Sequence, residues 1–337
     1  MKVLVDDVGS FPLLRGISKD AFARVYPKAL RMCAEGKSPL EDEAVAENFY
    51  KPVAASLASK VSSGLDVINY PQHYDMHKQF LEPIAAFQEE PFLVEKKYAV
   101  IPELRVVEKE ASKYGKLMLK VCVTGPIELH LRTDFGYHIY EEILLNLAES
   151  VNRFLRNSML STNHVETVAV AIDEPSLGFV DLLNIEEDAL VRALEASVEG
   201  IAARVQIHLH TLKSAHIPLQ AEGIDIITGE FAASPMNMDI LTKKTLDEHD
   251  KYLRAGVSRT NIDSIIGELV ERGAEPEPEM LVEDEETIRK RYEKVLSRYS
   301  DRVVFAGPDC GLGSWPSQGV ARLLLERTVR AVKSLSQ

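Results

Sequence analysis

Short runs of β-branched and apolar residues recur at residues 3–8, 65–69, 117–123, 167–172, 205–210, 224–228, 256–260 and 303–306. Between several of them, apolar residues return every three or four positions, over 41–63, 141–160, 185–201, 284–299 and 318–335. That is the spacing of helices with one buried face. Strand and helix therefore alternate, which calls for a parallel sheet with helical crossovers. Eight strands without an inserted domain favour a closed (β/α)8 barrel over an open sheet. The expectation is an α/β fold, a (β/α)8 TIM barrel spanning 1–337 as a single domain. Residues 273–286, GAEPEPEMLVEDEE, read as a solvated connection after the seventh strand.

Composition narrows the function classes. Of 337 residues, 45% are hydrophobic and 27% charged, enough apolar material for a sizeable core. With 39 Lys and Arg against 52 Asp and Glu, the net charge of -13 would repel phosphate backbones and anionic lipid, so neither nucleic acid nor membrane is an expected partner. Asp6 and Asp7 interrupt the N-terminal apolar run where a secretory peptide needs continuity, and a cytoplasmic protein is expected. The cysteines, Cys33, Cys122 and Cys310, are too few for a disulfide framework, so a functional one would act as a thiolate. Cys33 and Cys122 read as core thiols.

The chemistry-bearing residues gather after strands. Gly9-Ser10-Phe11-Pro12, Thr124-Gly125-Pro126, Asp173-Glu174-Pro175-Ser176 and the loop 307–313 each follow a predicted C-terminal strand end, the face on which barrel active sites lie. His208-Leu209-His210 ends the fifth strand, and a two-residue period puts both imidazoles on one side. Alone the pair is weak, since either His could be a satisfied polar residue at a strand end. Glu230 follows the sixth strand and Cys310 the eighth. Imidazole, carboxylate and thiolate are all zinc ligands, although Glu230 singly reads as surface and Cys310 as a small buried hydrophobe. Asp173 could bind a substrate ammonium group, orient a metal-ligating imidazole, or serve as a turn carboxylate. Gly9 and Ser10 could offer N–H groups and a hydroxyl to a carboxylate, or form a plain turn.

Together, in order and spacing, these segments resemble the catalytic C-terminal half of cobalamin-independent methionine synthase over nearly the whole chain. The matching stretches are Val8-Gly9-Ser10-Phe11-Pro12, Thr124-Gly125-Pro126, Ile172-Asp173-Glu174-Pro175, His208-Leu209-His210, Asp225-Ile226-Ile227-Thr228-Gly229-Glu230 and Pro308-Asp309-Cys310-Gly311-Leu312. The resemblance implies a (β/α)8 barrel whose zinc activates the sulfur of homocysteine for methylation, held by His208, Glu230 and Cys310. The fourth ligand of the family is cysteine, and here it is His210. That change raises the formal charge of the loaded site from -1 (2 − 3) to 0 (2 − 2).

Two further departures concern the substrate. The family's Gly-Glu-x-x-Arg-x-Asp-Met segment stands here as Asn69-Tyr70-Pro71-Gln72-His73-Tyr74-Asp75-Met76, so Tyr70 replaces the carboxylate that helps hold the amino acid, leaving Gln72 as a substitute contact. The family's His-Ser-Pro segment, which carries a histidine linked to proton transfer, aligns with Asn261-Ile262-Asp263. The acid is then absent, or has moved to Asp263 or His73. Gly9, Ser10 and Asp173 match positions that hold the amino acid and keep homocysteine, giving methionine, as the leading acceptor. The full family enzyme has a second barrel that helps bind methylfolate, for which 337 residues leave no room. Single-barrel relatives take the methyl group from methylcobalamin or a methylated corrinoid protein, and such a donor is expected here in place of folate. The alternatives are a zinc alkyltransferase for another thiol such as coenzyme M, a non-catalytic thiol- or corrinoid-binding homologue, and a metal-free lyase on the same barrel.

Overall fold

The computed structural model describes residues 2–335, the side chains of 180–182 excepted. Eight parallel strands form one sheet: β1 (Leu4–Val5), β2 (Ile68–Asn69), β3 (Leu117–Thr124), β4 (Val165–Asp173), β5 (Arg204–His208), β6 (Ile226–Glu230), β7 (Tyr252–Ser258) and β8 (Val303–Pro308). Their order is β1-β8-β7-β6-β5-β4-β3-β2, every pairing parallel. A parallel bridge between Asp6 and Val67, with Val67 N–H donating to Val5 O at 3.1 Å, joins β1 to β2. The architecture is the (β/α)8 barrel that alternation predicts. Among the described residues no helix is long and apolar enough to cross a membrane.

The strand boundaries depart from the apolar runs in instructive ways. The fifth run was drawn to residue 210, but the ladder ends at His208 and His210 lies beyond it. The sixth strand carries Glu230 as its last residue, two places past the predicted end. The seventh begins at Tyr252 and not at 256, because Arg254 points into the barrel. The helix expected over 41–63 is divided into Glu43–Val45, a π-helical turn Ala46–Tyr50 and Lys51–Ser62. The segment 273–286 follows a helix, Ile262–Glu271, and is mostly exposed until Leu281 and Val282 turn inward.

Side chains two apart on a strand share a face, which builds the interior in layers. Lys120 of β3, Gln206 of β5, Arg254 of β7 and Asp6 form a buried polar layer. The Asp6 carboxylate accepts from Lys120 Nζ at 2.6 Å and Arg254 Nε at 2.8 Å. Two residues further along β3 and β5 stand Cys122 and His208, nearer the C-terminal mouth. Cys33 and Cys122 are both buried, and burial pushes their thiols up, that of Cys33 to about 12.

Candidate metal centre

Four loops or strand ends bring His208, His210, Glu230 and Cys310 to the mouth, with one ligand atom from each lying within 4.8 Å of the others. His208 Nε2 stands 3.4 Å from Glu230 Oε1, His210 Nε2 3.8 Å from the same oxygen, and Cys310 Sγ 3.8 Å from His210 Nε2. Ligands on a tetrahedral zinc with ordinary bond lengths are separated by roughly 3.3–3.7 Å. His208 Nε2 and Glu230 Oε1 are buried and lack a hydrogen-bond partner. Buried polar atoms left unpaired are costly, and a cation between these two would satisfy both. The donor set and its spacing fit zinc.

Supporting groups hold the ligands in place. Asp173, the last residue of β4, accepts from His208 Nδ1 at 2.9 Å, which aims Nε2 at the cluster as a carboxylate–histidine–metal arrangement requires. Asn237 Nδ2 donates to the main-chain oxygens of His210 (3.3 Å) and Glu230 (2.9 Å), while its Oδ1 accepts from Leu212 N–H (3.2 Å). Asp309 accepts from the N–H groups of Ala232 (3.1 Å) and Ala233 (2.6 Å), tying the loop after β6 to the residue before Cys310. Thr260 Oγ1 accepts from Cys310 N–H at 3.2 Å. Neither Asn237 nor the pairing of Asp309 had a signal in the sequence, since segment 233–239 has no periodicity and an Asp before a Cys is commonplace. Glu174 is not at the cluster. It caps the helix Pro126–Leu131 by accepting from the N–H groups of Ile127 and Glu128.

The electrostatics describe a site prepared for a cation. Burial opposes the His208 imidazolium, but bonds to Asp173 and Glu230 outweigh it and bring its pKa to about 9. Burial would raise Asp173, and His208 instead holds it below the usual carboxylate range. Burial and the Glu230 carboxylate push the Cys310 thiol far up, while burial and His208 lower His210. Without a cation, His208 and Cys310 thus carry protons at neutral pH, and ligation must displace both. Below about pH 9 zinc affinity should therefore rise with pH by up to about 100-fold per unit, two protons being released. Zinc competition titrations at pH 6.5, 7.5 and 8.5 check this, and a flat profile contradicts it. Asp173→Asn, which removes the anionic partner of His208, should weaken zinc binding by about 10–100-fold with little change in melting temperature. An unchanged affinity would show that Asp173 does not orient the ligand.

Beside the cluster lies a cavity of about 190 Å³ lined by Ser10, Gln72, Met76, Asp173, His208, His210 and Cys310, among others. Gly9 borders it with φ at +143°, and a Cβ there would lie 2.0 Å from Gln72 Oε1. At Gly311 a Cβ would lie 1.9 Å from Ser10 Oγ, so both glycines let polar groups approach the wall. Two residues expected in the site lie elsewhere. Tyr70 is fully buried behind Gln72, donating to Cys122 O at 2.8 Å and accepting from Gln72 Nε2 and Gln79 Nε2, and is not among the residues lining the cavity. Asn261 precedes the helix Ile262–Glu271, its Oδ1 accepting from Arg259 Nε at 3.2 Å. His73 is engaged by Phe11 O and Ser56 Oγ, and burial lowers its pKa to about 3.

No protein-family model matches the chain, and no curated protein matches it. Among solved structures it is similar to a B12-independent methionine synthase from Shewanella sp. W3-18-1 in complex with selenomethionine. The TM-score is 0.64 at 14% identity, covering 99% of this chain and 98% of that one. It is also similar to a GH138 enzyme targeting pectin rhamnogalacturonan II, with a TM-score of 0.52 at 12% identity, covering 99% of this chain and 39% of that one. Both are enzymes on a barrel of this kind, and identities this low establish the fold and not the chemistry.

Proposed function

We propose that the chain is a zinc-dependent methyltransferase that moves a methyl group to the sulfur of a small thiol, homocysteine being the leading acceptor and a methylcorrinoid the donor. The observation that carries this reading is the convergence of His208, His210, Glu230 and Cys310 within 4.8 Å beside a cavity of small-molecule size. Held by those four, zinc supplies a Lewis acid that favours the thiolate form of a thiol near neutral pH. The chain's own residues do the rest. Ser10 and Gln72 offer polar contacts on the cavity wall opposite apolar Val8, Met76 and Pro175. Asp173 keeps His208 oriented and turns its remaining lone pairs toward an ammonium group. The sulfur lone pair forms the new S–CH3 bond as the donor–CH3 bond breaks, the donor departs with that electron pair, and the thiol proton leaves to solvent.

A second reading, transfer to another small thiol such as coenzyme M, draws on one observation. Tyr70 stands buried where the resembling family has a carboxylate, so the wall near Gln72 offers an amide in place of an anion. Zinc-loaded protein incubated with methylcobalamin and a panel of thiols, with the corrinoid spectrum followed, separates the readings. Demethylation with homocysteine supports the first, and demethylation with coenzyme M alone supports the second. No transfer to any thiol, from methylcobalamin or methyltetrahydrofolate, removes both and leaves a binding homologue.

A further inference from the structure

We propose that His210 is the exchangeable member of the metal set, held in reach by its main chain and not through its ring, with His208, Glu230 and Cys310 as the permanent three. The inference rests on the zinc reading above. The His210 side chain is 51% exposed, against 7% for His208 and 11% for Glu230. His208 has its second ring nitrogen fixed by Asp173. Among the described residues no hydrogen bond reaches Nδ1 of His210, whose ring otherwise meets only Cys310 at 3.8 Å, Glu230 at 3.8 Å and the edge of His208 at 5.5 Å between centroids. Metal-ligating histidines ordinarily donate that second N–H to an orienting acceptor. Here the ring can swing toward solvent without breaking any bond to the protein.

What is fixed is the backbone. His210 lies two residues past the end of β5, outside the ladder, and the Asn237 amide replaces sheet pairing by joining its carbonyl to that of Glu230. The arrangement tethers the residue while leaving the imidazole free. His210 also lines the cavity, so a thiol entering there meets this ligand first. A thiolate would take the place of one imidazole, its proton passing to solvent, and the number of ligands would stay at four.

Competition with a chromophoric chelator, on the full chain, tests the asymmetry. His210→Ala should bind zinc no more than about tenfold more weakly than the parent, whereas His208→Ala should lose more than about 100-fold. In the cobalt-substituted protein, 2-mercaptoethanol should add its thiolate-to-metal absorption band in His210→Ala at the same or lower thiol concentration as in the parent. Equal metal loss in the two variants, or a cobalt form of His210→Ala that takes up thiol less readily, overturns the inference. Should the parent protein bind neither zinc nor cobalt, the zinc reading falls and this one with it.

Discussion

Cys310→Ala should lower zinc affinity by at least about 100-fold and leave the fold intact. Removing an outer-shell partner of a metal ligand already costs about 10–100-fold, and Cys310 would be a direct ligand carrying one of the set's two negative charges. The thiol lies beyond β8 on the half-buried rim, and the hydrogen bond that positions the residue runs from its main-chain N–H to Thr260. Deleting the side chain therefore removes a donor atom without opening a core cavity or orphaning a partner. Cys33→Ala provides the contrast. It removes a buried thiol remote from the cluster and should lower the denaturation midpoint while preserving zinc affinity. Chelator competition and thermal melting on both variants check the pair, and a Cys310→Ala protein that keeps its zinc affinity would rule out the thiolate as a ligand.

The second large effect is on stability. Asp6→Ala should destabilise the protein by about 3–5 kcal/mol, because it leaves Lys120 and Arg254 buried without their shared counter-ion. Both cations are almost fully enclosed, at 1% exposure each. Desolvation that the ion pairs offset would then stand uncompensated. Removing the surface pair Lys244–Glu248 (84% and 57% exposed) with Glu248→Ala should shift stability by less than about 1 kcal/mol. Chemical denaturation of the two variants reads the difference directly. Similar midpoints would mean that water reaches the interior layer and screens it. The layer lies beneath His208, so a loosened Asp6→Ala barrel should also bind zinc more weakly.

The cluster was legible in the sequence because its ligands follow strands, and a parallel barrel gathers strand ends whatever their separation along the chain. His208 and Cys310 are 102 positions apart in number and neighbours in space for that reason. Strand limits were less legible. A hydrogen-bonding ladder, not apolarity, ends β5 at His208, and the charge on Arg254 disguised the first half of β7. A charged side chain ordinarily marks a solvent face, and here an interior counter-ion from β1 reverses the rule. Asn237 was invisible because its importance comes from two carbonyls on other strands. Tyr70 and Asn261 were placed by alignment with positions that bear chemistry elsewhere. Tyr70 instead packs behind Gln72, and Asn261 pairs with Arg259. Side-chain direction at such positions is set by tertiary packing, which a linear pattern does not carry.

Zinc-edge X-ray absorption on the purified, zinc-loaded chain, together with its metal stoichiometry, tests the central claim most directly. The four-ligand set predicts one zinc per chain with a single sulfur at about 2.3 Å and three nitrogen or oxygen neighbours at about 2.0–2.2 Å. A chain that holds no stoichiometric zinc, or one whose zinc has oxygen neighbours and no sulfur, would contradict it.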